Sequence, residues 1–247
     1  MQIIAHRGLW QNPTNSHLNP HDSHLQDSPI DSPSHDSPYL KAQNQKTQNL
    51  QNSLISFERA LNSGFGIETD VRDCNKNIVI SHDIPTLSAT NVAQLFALYN
   101  KAHSTQTLAL NIKADGLCKS LQNLITAHNI TNYFCFDMSV PDMRHYARLG
   151  LKFFTRQSDI ERDLPLYDEA NGVWCDEFDK SWISEKVILE HLQNGKKVAI
   201  VSPELHKREY QSAWNYYKQI IDLNALKGNS NILLCTDFPQ IAKDFFK

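Results

Sequence analysis

Apolar positions in this chain fall into short continuous runs separated by longer stretches in which they recur every three or four residues. The short runs, at residues 2–5, 67–71, 107–112, 133–136, 152–155, 172–175, 197–201 and 232–235, predict β-strands. The stretches between them predict amphipathic helices. Asn52 reads as the cap of a helix reaching Asn62, with Leu54, Phe57 and Leu61 on one face. Asn91 and Gln94 form a capping box ahead of Val92, Leu95, Phe96 and Tyr99. Further helices are expected at 117–128, at 141–149 behind Ser139 and Asp142, at 185–193 and at 210–226, with Asp237 capping a last one. One more extended run, 78–81, leads to His82. Eight strand-like runs, most followed by a helix, imply parallel strands with right-handed crossovers. At 247 residues the expected fold class is α/β, a TIM (β/α)8 barrel in one domain spanning 1–247. A doubly wound open sheet has the same alternation and is the alternative.

Residues 11–51 break the alternation. They are rich in Asn, Gln, Ser, Asp, His and Pro and repeat Asp-Ser-Pro at Asp27, Asp31 and Asp36. Such a composition buries little apolar surface and reads as a low-complexity insertion, either a loosely draped loop or a lid over the active site. His17, His21 and His24 within it have a spacing that could grip a metal.

Net charge is −3, so no basic field for nucleic acid exists. No apolar run approaches the roughly 20 residues needed to cross a bilayer. The N-terminus shows no charged-then-apolar leader. The five cysteines include no C-x-x-C pair, and Cys135, Cys175 and Cys235 lie in strand-like runs where a free thiol packs as a small hydrophobe. The expectation is a cytoplasmic protein that does not insert stably into membranes.

Chemistry concentrates in three strand-like runs. In IETDV, Glu68 and Asp70 share one face while Ile67, Thr69 and Val71 share the other. Adjacent carboxylates repel unless a cation sits between them, and a hard divalent ion is the natural occupant; a solvated strand end is the alternative. In QIIAHRG, His6 can carry protons, Arg7 offers a fork of donors to phosphate, and Gly8 suits a tight turn. In LALNIKAD, Asn111, Lys113 and Asp115 share a face. His82 follows the first acidic pair after a turn. His103, His128, His145 and His191 fall in helices or at helix ends and read as solvated or structural.

The segments AHRG (5–8), NSLISFERALNSG (52–64), IETDVR (67–72), SHD (81–83), NIK (111–113) and CTDFP (235–239), in this order and spanning nearly the whole chain, resemble the glycerophosphodiester phosphodiesterase family. The resemblance implies a PLC-like phosphodiesterase barrel that hydrolyses a glycerophosphodiester-type substrate. His6 and His82 would be acid and base, Arg7 and Lys113 would bind phosphate, and Glu68 and Asp70 would hold Mg²⁺ or Ca²⁺. Many members have a glutamate as third ligand where this chain has Asn111, whose amide oxygen can serve; Asp115 or Asp137 could also enter the shell. A second departure is SPELHKRE, 202–209, where Glu204 and His206 could line the substrate end but stay outside the expected site. Other readings are the same barrel acting on another phosphodiester, by a phospholipase-like cyclising reaction or on a surface glycan, and a non-catalytic barrel that binds a phosphorylated ligand.

Overall fold

A computed structural model describes residues 1–9 and 50–247. All but the end of the expected insertion, including His17, His21 and His24, lies outside the described residues. Strand β1 is Gln2–Ala5, followed by helix α1, Leu54–Asn62. Strands β2, Gly66–Cys74, and β3, Asn77–Ile80, form an antiparallel hairpin. Helix α2, Val92–Lys101, leads to β4, Leu108–Ile112, and α3, Cys118–Ala127, to β5, Tyr133–Phe136. Then come α4, Val140–Arg148, β6, Phe154–Ser158, and β7, Gly172–Asp176. Helix α5, Glu185–Gln193, precedes β8, Lys197–Val201; α6, Gln211–Leu223, precedes β9, Ile232–Thr236; and α7, Pro239–Phe245, ends the fold.

All strands but β3 pair in parallel in the order β5-β4-β2-β1-β9-β8-β7-β6. The pairing of β1 with both β2 and β9 brings the chain's first strand beside its last, and a parallel bridge between Cys135 and Phe153 joins β5 to the β6 edge. An open sheet is thereby excluded, and the architecture is the expected (β/α)8 barrel. The register follows from side-chain parity. Ile4, Ala109, Phe134, Phe154, Trp174, Ala199 and Leu233 meet in one buried cluster inside the barrel. Their neighbours of opposite parity, among them Ile67, Leu108, Leu110, Val173, Val198 and Leu234, pack outward against the helices. The interior is filled by aromatic stacking, Phe134 on Phe154 at 3.7 Å and Phe136 on Trp174 at 3.9 Å between centroids.

Several local expectations needed correction. Ser53, not Asn52, caps α1, because Asn52 adopts φ 56° and turns its amide away. Asp237 makes no cap for α7; its carboxylate is taken by His6. The sixth strand lies at Phe154–Ser158 rather than 152–155, since its polar residues Arg156 and Gln157 extend the β7 ladder. No α-helix joins β6 to β7. Helix α6 stops at Leu223, where Asn224 and Ala225 turn the chain. By contrast the Asn91–Gln94 capping box and the buried set Val92, Leu95, Phe96 and Tyr99 are present as expected. His191 is structural: buried, it bonds Tyr167 Oη at 2.9 Å and Gln157 Oε1 at 3.1 Å, and burial pulls its imidazole below the ordinary value.

Because Phe134 is 2% exposed and stacks flat on Phe154, removing its ring leaves a cavity that the barrel wall cannot collapse into. Phe134→Ala is expected to cost about 3–5 kcal/mol in urea unfolding. A cost below about 1 kcal/mol would mean that the interior repacks freely.

Candidate active site

The parity that fills the barrel floor with Ala109 and Phe134 carries the next inward residues to the C-terminal mouth. A cavity of about 310 Å³ opens there. His6, Arg7, Glu68, Asp70, His82, Asn111 and Lys113 all line it, so every residue singled out for the site meets in one place. The far wall adds Asp137, Arg156, Asp176, Phe178 and His206.

The site begins at a strained turn. Arg7 takes φ 51° and Gly8 φ 66°; a methyl group on Gly8 would lie 2.4 Å from Phe57 Cδ1. The left-handed turn costs an arginine roughly 1–2 kcal/mol. It aims the Arg7 backbone N–H at Glu68 Oε2, 3.1 Å away, and brings Nε within 3.1 Å of Asp70 Oδ2. Lys113 Nζ approaches the other Asp70 oxygen at 3.4 Å. The Asn52 amide then donates to Asp70 Oδ2 at 2.9 Å and accepts from the Thr69 hydroxyl at 2.8 Å. Its backbone N–H bonds Arg7 O at 2.9 Å, which joins two residues that flank the insertion beside the site.

Glu68 and Asp70 are buried, at 2% and 1% exposure, on one face of β2. Burial, and then the charge of Asp70, push the Glu68 carboxyl up to about 7. Asp70 lies in register with Asn111 on β4. Asn111 Oδ1 is buried and accepts no hydrogen bond, an unsatisfied oxygen beside two crowded carboxylates. A buried amide oxygen without a donor is costly, and a cation would satisfy all three groups at once. The donor set thus fits a hard divalent ion: two carboxylates and an amide oxygen. Among the described residues no group of three His, Cys, Asp or Glu side chains is arranged for a metal, which follows from the third member being an amide. Asp115 does not line this cavity. β4 ends at Ile112, and the Asp115 carboxylate instead accepts from the Ser139 hydroxyl at 2.6 Å. Asp137 reaches the cavity but pairs with Arg156 at 3.1 Å.

His6 bonds Asp237 Oδ1 through Nδ1 at 2.8 Å and faces Glu68 with Nε2 at 3.9 Å. A carboxylate only accepts, so the proton sits on Nδ1 and Nε2 is left toward the acidic pair. Burial pulls the His6 imidazole down, but the Asp237 bond and the charges of Glu68 and Asp237 outweigh it and leave it above the ordinary value. His82 is half exposed, with Nδ1 2.9 Å from Asp83 Oδ1. A further pair, His206 Nε2 to Asp176 Oδ1 at 2.6 Å, faces the same cavity.

Sequence reasoning missed three contributors. Asn52 read equally well as a helix cap, and Asp237 did too. Arg156 stood beyond the end of its expected strand, and inward parity continued from Phe154 would have found it. A larger cavity, about 390 Å³ and lined by Glu177, Trp182, Tyr216 and Tyr217, holds no base beside its one acid.

No protein-family model and no curated protein matches the chain. Solved structures do. A candidate glycerophosphodiester phosphodiesterase from Galdieria sulphuraria superposes with a TM-score of 0.68 at 16% identity, over 99% of this chain and 97% of that one. A phosphodiesterase from Oleispira antarctica, in complex with the product sn-glycerol-3-phosphate, gives 0.61 at 13% identity over 99% and 96%. The glycerophosphodiester phosphodiesterase from Agrobacterium tumefaciens gives 0.54 at 13% over 99% and 98%. The chain therefore shares its barrel, over its whole length, with structures of this phosphodiesterase type.

Proposed function

We propose that this chain is a divalent-metal-dependent phosphodiesterase that hydrolyses a glycerophosphodiester-type substrate to a phosphomonoester and an alcohol. The observation that carries this reading is the convergence of His6, Arg7, Glu68, Asp70, His82, Asn111 and Lys113 on one cavity at the barrel mouth. The neighbour that binds sn-glycerol-3-phosphate shares that barrel and supports the choice of substrate class.

Glu68, Asp70 and Asn111 would hold Mg²⁺ or Ca²⁺, and the ion, when bound, supplies positive charge against the phosphoryl oxygens. Arg7 and Lys113 bind the phosphate. Both are held by Asp70, so their charges are fixed before substrate arrives and need no reorganisation as the phosphoryl group changes charge. Hydrolysis requires a proton to leave the attacking hydroxyl and another to reach the departing alkoxide. His6 is oriented for one transfer by Asp237, and its Nε2 is the atom that exchanges the proton. His82 performs the other. It sits half exposed at the cavity rim, with Nδ1 on Asp83 and its carbonyl oxygen accepting from Arg72 Nε.

Incubation with a panel of glycerophosphodiesters in Mg²⁺ or Ca²⁺ is expected to release phosphomonoester, detected by ³¹P NMR. Binding of phosphate compounds without turnover of any diester would favour a non-catalytic barrel. Glutamine at either histidine is expected to lower kcat by roughly 10²–10⁴. A nitrophenyl leaving group needs no general acid, so it should rescue the variant lacking the acid and not the one lacking the base; equal responses would refute the two-histidine division.

Acidity gives a second test. Glu68 has a folded-state pKa above its unfolded one, so folding favours its protonated form and metal-free stability falls as pH rises from about 5 to 8. The raised His6 value acts in the same direction, its contribution being present at low pH and lost as pH rises. Divalent ion should therefore raise the melting temperature more at pH 8 than at pH 5. In Glu68→Gln this difference should shrink while the fold persists. An unchanged metal response in that variant would remove Glu68 from the ligand set.

A further inference from the structure

The short turn Pro203–His206 after β8 carries Glu204 behind His6 rather than into the cavity. Its Oε1 accepts the Asp237 backbone N–H at 3.1 Å and the Thr236 hydroxyl; its Oε2 accepts the Ser202 hydroxyl. Neither hydroxyl is free to turn its proton elsewhere. The Ser202 oxygen accepts Trp214 Nε1–H at 2.7 Å, and the Thr236 oxygen accepts the Phe238 N–H at 3.0 Å. Three donors thus point at Glu204, and only a carboxylate receives all of them without a donor of its own in the way. Their common effect is to fix the backbone of residues 236–238, from which the Asp237 side chain reaches His6 Nδ1 at 2.8 Å.

We propose that Glu204 is a positioning residue for His6, acting through the Asp237 backbone. It touches neither the cavity's cations nor the metal-holding oxygens. It sets the rotamer and height of Asp237, which in turn keeps the proton on His6 Nδ1 and presents Nε2 to the site. In rate the proposal rests on the hydrolase reading; in structure it does not, because the tautomer of His6 exists without substrate.

Both levels can be measured on the full chain. In ¹⁵N-histidine-labelled protein, with the His6 resonances assigned by comparison with His6→Gln, wild type should show a slowly exchanging Nδ1 proton. Glu204→Gln should weaken or remove that signal. It should also lower kcat about tenfold at unchanged KM, the scale of an outer-shell partner. Asp237→Asn should lose at least as much, and the double variant no more than Asp237→Asn alone, since both act on one bond. Should Glu204→Gln fail to fold, Thr236→Val removes one donor to Glu204 within an intact strand and is expected to move the same resonance. An unmoved Nδ1 signal in the folded variants, or rate losses that multiply in the double variant, would overturn the proposal. Absence of wild-type turnover would overturn the hydrolase reading instead and leave the resonance to decide the role of Glu204.

Discussion

Two carboxylates buried on one face of one strand set the terms for this barrel's mouth. Glu68 and Asp70 repel each other in a place water reaches poorly, and every neighbour answers that repulsion. Arg7 accepts a left-handed backbone to reach both, through its N–H and its Nε. Lys113 and Asn52 approach one Asp70 oxygen each. What these contacts leave over is a Glu68 carboxyl displaced upward in acidity and an Asn111 oxygen with no donor. Compensation is therefore incomplete, and incomplete in the manner that a hard cation would finish.

The same constraint explains the asymmetry of the cavity. The β1, β2 and β4 wall carries the acidic pair with the cations that face it. The opposite wall, from β5 to β8, carries Asp137 beside Arg156 and Asp176 beside His206, set among Phe136, Phe178 and Leu205. Under the proposed function, the phosphoryl group would meet Arg7 and Lys113 on the first wall, and the rest of the substrate would face the second.

Much of this was legible in the chain. Parity along IETDV separates Glu68 and Asp70 from the apolar face, and the same parity holds around the barrel, because strand side chains must alternate wherever both faces are buried. Helix α2 was readable to its cap, since an Asn-x-x-Gln box has few competing uses. Asn52 and Asp237 were not, because an Asn or Asp before a helix satisfies local capping rules whether or not a distant carboxylate or imidazole claims it. Only the closed barrel brings Asp237 beside His6 across 231 positions of sequence. The β6 boundary failed for a related reason: Arg156 and Gln157 look like loop residues until Asp137 and the β7 ladder are placed next to them.

The central claim, that the mouth of this barrel is a divalent-cation seat, is open to one direct observation. Crystals soaked in Mn²⁺ should show a single anomalous peak at the mouth, bonded to oxygens of Glu68 and Asp70 and to Asn111 Oδ1. No peak there at saturating Mn²⁺, or a peak seated only elsewhere on the molecule, would contradict the account.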